Sequence, residues 1–444
     1  MKKRMIIAML SATVLLAACG QAASDKSKTL ESAEQTASSE VSLEQYGSSG
    51  TDSGRSGEID TGDQFTDRDM QQTPDLGDAE YITVSDGKDI TIDTEGVYVL
   101  SGNAANVTVY VEADDKDKVQ LVLDGLSISN TDSPCIYVKS ADKVFITTVS
   151  DDNELTVSGS FSSDGDTNTD AVIFSKDDLV LNGSGYLGIT SSDNGISGKD
   201  DIKLTGGTIE IACSGSAVEA HDEILIADGC IEITKCNDGL HAEDNDDDTT
   251  GYIYIAGGTI NIQAADDGIH ATTIVKINDG DITLTAAEGI EGTQIEINGG
   301  TIDITASDDG INAAQKSSSL SPLFELNGGN VNITMGAGDT DGVDSNGDIR
   351  INGGTISITG QSTFDYDGKA EHNGGTIIEN GEETNIITNQ TFGGPGGRDG
   401  MGPQGGFERE GGPRDMEDFD GMMPEDNEGG RRGHGGRQPE NDQF

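Results

Sequence analysis

Between residues 193 and 345 one short phrase keeps returning: Asp238-Gly239-Leu240-His241, Asp267-Gly268-Ile269-His270, Glu288-Gly289-Ile290, Asp309-Gly310-Ile311-Asn312 and Asp341-Gly342-Val343-Asp344. A second phrase alternates with it: Gly206-Gly207-Thr208-Ile209, Gly257-Gly258-Thr259-Ile260, Gly299-Gly300-Thr301-Ile302 and Gly353-Gly354-Thr355-Ile356. From Asp267 to Glu288 to Asp309 the period is about 21 residues, and longer intervals carry insertions such as 244–251 and 315–322. A period of that size marks a solenoid.

Within each period the aliphatics alternate with polar residues, as in Ile209/Ile211, Ile260/Ile262 and Ile302/Ile304, so one side of a short strand is apolar and the other wet. Gly-Gly, Asn-Gly and Asp-Gly corners, read here as sites that tolerate positive φ, separate strands of about three to five residues. No helical period is long enough for a crossover helix. The expected fold is therefore all-β: a right-handed parallel β-helix of about 21-residue coils, with Ile, Val and Leu columns as its core.

The chain ends differ from this core. Met1-Lys2-Lys3-Arg4, an apolar run and Leu16-Ala17-Ala18-Cys19 read as a signal peptide with a lipobox over 1–19, so Cys19 is the expected lipidation site and the chain is expected at the extracellular face of a bacterial membrane. Residues 20–78 are Ser-, Thr-, Asp- and Glu-rich and are expected to be a disordered linker, and 391–444 a disordered Gly-rich tail. The domain is placed at 79–390. Its first half, with strand-like runs at 97–101, 119–129, 135–138, 144–149, 171–181 and 187–190, reads as imperfect coils that start and cap the helix.

Asp and Glu total 81 against 26 Lys and Arg, for a formal net charge of −55. Nucleic acid and anionic lipid surfaces are repelled by such a chain, which excludes nucleic-acid binding. The same acids raise a problem of packing. Adjacent coils sit about 4.8 Å apart, so Asp267, Glu288 and Asp309 should stack as a column, where two charges near 4 Å repel by roughly 1 kcal/mol in water and about 4 at an effective dielectric of 20. Ca2+, with oxygen ligands at about 2.3–2.6 Å, turns that repulsion into attraction. Asp238, Asp266, Asp267, Glu288, Asp308, Asp309, Asp341 and Asp344 are the candidate calcium ligands. The competing reading makes these Asp residues corner acceptors of backbone hydrogen bonds before Gly. EF-hand loops starting at Asp244 or Asp344 fail at Thr249, Ile255 and Ile349, and the Gly-Gly-x-Gly-x-Asp nonapeptide is absent.

Glu219, His241, His270, Glu291 and Asn312 occupy one outward column, expected to be a solvent-facing stripe that contacts ligand, in preference to a zinc site from two stacked histidines. Cys135, Cys213, Cys230 and Cys236 form no C-x-x-C pair and read as small buried residues, with a Cys213–Cys236 disulfide sterically open. The chain has no Trp, and Tyr252 and Tyr254 are its only close Tyr pair, outward together only if Ile253 points in.

The runs Gly96-Val97-Tyr98-Val99-Leu100-Ser101-Gly102, Val119-Gln120-Leu121-Val122-Leu123-Asp124-Gly125-Leu126-Ser127-Ile128 and Asn182-Gly183-Ser184-Gly185-Tyr186-Leu187, followed by the Asp-Gly-Ile coils, resemble the calcium-binding β-helix carbohydrate-binding family of clostridial-type surface lipoproteins. The likeness runs over about 95–380. It implies a pectate-lyase-like fold, bound calcium, and plant cell-wall polysaccharide as partner, polygalacturonate or cellulose, with the chain a monomer. Pectate lyases of this fold remove the C5 proton of galacturonate with an Arg or Lys base, and Lys276 and Arg350 lie on or beside strands where such a base would sit. Basic residues are scarce in the repeats, so binding is favoured over cleavage, with a lyase or a purely adhesive surface protein as alternatives. An acidic glycan bridged by calcium is favoured over cellulose for want of aromatic platforms.

Overall fold

A computed structural model describes residues 64–390 apart from 245–246 and 338–339, so the signal peptide, Cys19, most of the linker and the tail lie outside the described residues. The described chain has no α-helix. Its strands pair in parallel throughout, except for one antiparallel hairpin at the C-terminal end.

Three strand columns turn the chain into a solenoid. The first face runs from Ile90–Ile92 through Val109–Glu112, Ile136–Ser140, Ala171–Ser175, Asn194–Gly198, Val218–Ala220 and Leu240–Ala242 to Asp341–Ser345 and Ser362–Tyr366. The second stacks Lys143–Thr148, Leu179–Gly183, Ile202–Leu204, Glu223–Ile226 and Tyr252–Ile255 and continues to Ala370–His372. The third stacks Tyr186–Ser191, Thr208–Ala212, Cys230–Cys236, Thr259–Ala264, Asp281–Ala286 and Thr301–Ala306. Asp267–Ile277 and Glu288–Ile297 are long because each rounds the corner from first face to second. Partners lie 21 residues apart from Ile269 to Ile290 to Ile311, but 29 from Leu240 to Ile269, 32 from Ile311 to Val343 and 37 from Ile136 to Ile173, because loops are inserted between otherwise unbroken coils.

The first half pairs in parallel as the second does, with register shifts at Leu100/Gly102 and Val111/Glu112 that fit the expectation of imperfect coils, and loops such as 158–170 further hide its periodicity. The cap is at the other end. Thr376–Glu379 folds back on Glu382–Thr384 through Asn380 and Gly381, both at positive φ (53° and 85°), which is the turn chemistry that an Asn-Gly hairpin provides, and the last parallel strand is thus not left as a bare edge.

Inward columns fill the solenoid. Val218, Leu240, Ile269, Ile290, Ile311 and Val343 stack on one face, and Ile260, Ile262, Ile302 and Ile304 on another, all at or near zero exposure. Cys135, Cys213 and Cys236 are free and buried, so the Cys213–Cys236 bridge does not form; burial pushes the Cys213 thiol up to about 12.

The two kinds of glycine corner have different causes. The second Gly of each Gly-Gly pair does take positive φ, at Gly207, Gly258, Gly300 and Gly354. Asp-Gly corners such as those at Gly229 and Gly280 do the same, but the glycines of the repeated Asp-Gly-Ile phrase do not. A Cβ on Gly268 would stand 2.6 Å from the carbonyl oxygen of Gly289, and Gly239, Gly289 and Gly310 would meet the carbonyls of Gly268, Gly310 and Gly342 in the same way. Here glycine is required by the approach of one coil to the next. At the Asn-Gly-Gly corners the amides stack: Asn298 Nδ2 donates to Asn278 Oδ1 (2.9 Å), Asn327 to Asn298 (2.9 Å), Asn352 to Asn327 (2.8 Å) and Asn373 to Asn352 (2.9 Å).

The domain begins earlier than residue 79. Residues 64–78, expected as linker, lie across the second face: Thr205 Oγ1 and Asn182 Nδ2 donate to the Asp69 carbonyl, Gln72 Nε2 donates to the Thr205 carbonyl while its Oε1 accepts from Gly183 N–H, and the Arg68 guanidinium lies 4.4 Å over the Phe145 ring. The segment has few aliphatics and docks mainly through backbone carbonyls and amides that composition does not report.

Gly87, at φ 64° with open space around its Cβ position, and Gly289 separate the two glycine roles. Gly87→Ala should cost about 1–2 kcal/mol, the left-handed penalty alone. Gly289→Ala must push neighbouring coils apart and should lower the urea midpoint further; equal or smaller loss would show that the coils yield at that corner.

Candidate functional site

The outward stripe of the first face is set by register. Glu219 lies beside His241, His241 beside His270, His270 beside Glu291, Glu291 beside Asn312, Asn312 beside Asp344, and Asp344 beside Asp365, because each follows an inward-pointing apolar residue of the same buried column. All five expected ligand-contact residues fall on this stripe. It is not solvent-facing along its whole length, however. His270 and Glu291 are 6% and 5% exposed. Two insertions cover the middle: Lys316 Nζ reaches Glu291 Oε2 (2.8 Å), Glu243 Oε2 lies 3.0 Å from His241 Nε2, and Ser318 N–H donates to Asp248 Oδ2 (2.8 Å), tying one insertion to the other.

The expected carboxylate column falls into a nitrogen-bearing stretch and an oxygen-only stretch. In the nitrogen-bearing stretch, Asp267 is drawn to His270, whose Nδ1 lies 2.9 Å from Asp267 Oδ2 and 2.7 Å from Glu291 Oε2. Burial works against the charge on His270, but these two carboxylates bring it up to about 9. Burial likewise opposes ionisation of Glu291, yet His270 and Lys316 hold it below the usual carboxylate range. Asp238 Oδ1 accepts the Asp267 N–H (3.3 Å), and Asp238 is held low by His241 and Asn237 despite its burial.

The other stretch has oxygen donors only. Glu288 and Asp309 are pushed up to about 7 and Asp344 to about 6, in each case first by burial and then by neighbouring acids: Glu291 and Asp267 on Glu288, Asp344, Asp308 and Asp341 on Asp309, and Asp365, Asp341 and Asp367 on Asp344. Asp309 Oδ1 also accepts the Asp341 N–H (3.1 Å), and Asn312 Nδ2 bridges Glu288 and Glu291 (2.9 and 3.1 Å). The corner hydrogen bond and the outward charge thus coexist on one carboxylate.

As a set, the eight expected calcium ligands do not converge. The three-residue clusters with all donor atoms within 4.8 Å among the described residues are His241/Glu243/His270, Asp267/His270/Glu291 and Asp178/Asp200/Asp201. Glu219 is separate again, accepting from Asn194 Nδ2 (2.8 Å) and raised by burial and Asp170.

Lys276 and Arg350 stand elsewhere. Both are on the second face, Lys276 ion-paired to Glu296 (3.2 Å) and Arg350 3.6 Å from Asp348, so neither faces the stripe. Lys316, supplied by an insertion the repeat pattern does not cover, does face it; burial opposes its charge but Glu291 keeps it raised and protonated, and toward the N-terminal coils Lys199 lies 5.8 Å over the Phe174 ring and acts on Glu219. Tyr252 and Tyr254 do point outward together, Ile253 inward, with rings 6.4 Å apart and 12° from parallel, yet they are 4% and 5% exposed beneath Phe65, Ile274 and Leu320. A second aromatic ladder, Tyr110, Tyr137 and Phe174, continues the first-face stripe toward the N-terminal coils (5.8 and 5.5 Å). Its signal in the sequence is the Val-Tyr-Val, Ile-Tyr-Val and Ile-Phe alternation, which acquires meaning only once those strands are in register.

A family model described as "Carbohydrate-binding domain-containing protein" matches residues 86–337 and 286–412, which takes in every element of this stripe. The chain belongs to that carbohydrate-binding domain family. A protein of the same description from Acetivibrio thermocellus is 36% identical over 128 residues, 28% of this chain and 45% of its own length, so the match spans less than half of that relative. The structure of a polysaccharide lyase-like protein from C. thermocellum, a gadolinium derivative, is matched at 23% identity over 67% of this chain and 96% of that one, with a TM-score of 0.32, a likeness too loose to bear on function.

The pKa directions set the pH response of the metal-free protein. Glu288, Asp309 and Asp344 hold protons in the folded state that the unfolded chain has already released above about pH 4. Stability therefore falls as pH rises from about 4 to about 7, and His270 extends the fall toward about 9. In chelator, the melting temperature should be higher at pH 5 than at pH 8, and Asp309→Asn should flatten the slope. A melting temperature that rises over this range would contradict the assignment.

Proposed function

We propose that this chain is a surface-tethered module that binds an acidic plant cell-wall polysaccharide of the polygalacturonate type through calcium, without cleaving it. The observation that carries the reading is the oxygen-only end of the stripe, where Glu288, Asp309 and Asp344 are half-buried and the charges acting on Asp309 and Asp344 are other carboxylates. Uncompensated acids in register suit a hard cation with oxygen ligands. Glu288, Asp309 and Asp344 would hold it, with Asp308 and Asp341 beside them, while Asp238 and Asp267 are engaged with the histidines. Bound calcium supplies positive charge that links protein carboxylates to uronate carboxylates. Membership of a carbohydrate-binding domain family supports a glycan as the ligand. The net charge of −55 makes the cation necessary for an acidic one.

The chain's own residues then act by position. Asn312 fixes Glu288 and Glu291 side by side, and the Asp-Gly corners beside the stripe carry one acid in each successive coil, Asp267, Glu288, Asp309 and Asp341, matching a polymer with regularly spaced acids. A non-cleaving reading is supported by the cations nearest the carboxylates: Lys276 is committed to Glu296 on another face, and Lys316 is held protonated by Glu291, which makes it a charge partner and a poor base. Cellulose is disfavoured because Tyr252 and Tyr254 are covered. A lipid on Cys19 would place the module at the outer face of the membrane, with residues 20–63 as the tether and the β-helix right-handed in coil.

EGTA should lower the melting temperature of the protein and calcium restore it, the ion adding about 2.7 kcal/mol of stability at a hundredfold excess over the dissociation constant. Polygalacturonate should retain the protein in calcium and release it to chelator, with no unsaturated uronate formed. The combined variant Glu288→Gln, Asp309→Asn, Asp344→Asn should fold in chelator, no less stably than the parent, and lose calcium and glycan together. Ile302→Ala should instead cost about 2–5 kcal/mol whatever the calcium level. Calcium binding unchanged in the combined variant would sink the proposal, and uronate product would make the protein a lyase.

A further inference from the structure

We infer that His241, Glu243 and His270 form a site for a borderline-soft divalent metal ion of the zinc class, distinct from the oxygen-only end of the stripe. The three side chains bring donor atoms within 4.8 Å of one another. His241 Nε2 lies 3.0 Å and His270 Nε2 3.9 Å from Glu243 Oε2, and the two rings stack with centroids 4.6 Å apart and planes 20° from parallel. Two imidazoles and one carboxylate, the Glu243 side chain being partly exposed, make a donor set that zinc accepts and calcium, which takes oxygen, does not.

The surroundings of the two histidines are as informative as the donors. His241 Nδ1 faces Asp238 Oδ2 (3.5 Å) and His270 Nδ1 faces Asp267 Oδ2 (2.9 Å), in each case the Asp three residues earlier in the repeated Asp-Gly-Leu-His or Asp-Gly-Ile-His phrase. At His270 the carboxylate on Nδ1 keeps the proton on that nitrogen, fixes the ring and leaves Nε2 as the ligand, the outer-shell arrangement that metal-bound histidines favour, while His241 Nδ1, buried and not hydrogen-bonded, has Asp238 within reach of the same contact. Both Nε2 atoms here point to the same carboxylate. The repeat supplies this twice, in two successive coils, and the insertion that begins just after Ala242 supplies the third ligand. Zn–N bonds of about 2.0–2.1 Å require the Nε2 atoms to lie within about 4 Å of each other. Stacked rings reach that by tilting their Nε2 edges together, with the Nδ1 contacts as pivots.

The test uses the full chain stripped with EDTA, returned to excess calcium so that oxygen sites are filled, and titrated with Zn2+ by calorimetry and with Co2+ by visible absorption. About one equivalent should bind, and Co2+ should show the intense d–d bands of a low-coordinate nitrogen site. His241→Ala should weaken Zn2+ binding at least a hundredfold. Glu243→Gln, at a partly exposed position that leaves the fold intact, should weaken it and alter the Co2+ spectrum. Asp267→Asn should weaken it about 10–100-fold without changing stoichiometry, and Glu288→Gln with Asp309→Asn should leave it unchanged. No Zn2+ uptake in calcium, or the same uptake and spectrum in both His241→Ala and Glu243→Gln, as an ion held by His434 would give, overturns the inference.

Discussion

Parallel stacking in register is the constraint on which everything else here depends. Each coil sits on the next at about the strand spacing of 4.8 Å, so a residue meets the equivalent residue of its neighbour, and like meets like along the whole solenoid. Aliphatics gain from this, since Leu240, Ile269, Ile290 and Ile311 form one continuous buried column. Amides gain too: an Asn is both donor and acceptor, so Asn278, Asn298, Asn327, Asn352 and Asn373 join into a ladder without needing a different partner. Carboxylates do not. They accept only, and in register they repel.

The stripe can be understood as three answers to that repulsion. Around Asp238 and Asp267 the repeat places a histidine three residues on, so that each acid has a nitrogen to face. At Glu291 an inserted loop brings Lys316. At Glu288 the only such answer among the described residues is the neutral Asn312 amide, at Asp309 and Asp344 the charges acting are other carboxylates, and burial together with the neighbouring acids raises all three. That last stretch is where an external cation has most to gain, which is why the proposed calcium and the proposed transition metal fall at different places along one column.

The insertions give the solenoid its individuality. The regular coils alone present a flat acidic stripe; the loops after Ala242 and Ala313 meet through Ser318 and Asp248, cover His270 and Glu291, and add Glu243 and Lys316. On the second face, Leu320 from one of these loops and Phe65 from the N-terminal segment cover Tyr252 and Tyr254. Rings that alternation alone would offer to a sugar are thereby spent on packing.

The sequence by itself determined the all-β solenoid, its inward columns and the residues that share an outward stripe, because period and alternation are local properties that any parallel stack must obey. The Gly-Gly corners follow from local turn chemistry, whereas the glycines of the Asp-Gly-Ile phrase do not: they answer to the carbonyl of the next coil, a contact no single coil contains. Only the tertiary structure decided which acids pair with nitrogen, that Lys276 and Arg350 face away from the stripe, that residues 64–78 belong to the domain, and that the loops close over His270. Each of these rests on where an aperiodic segment lands or on which way a side chain turns, and a repeat, which fixes position along the axis, leaves both undetermined.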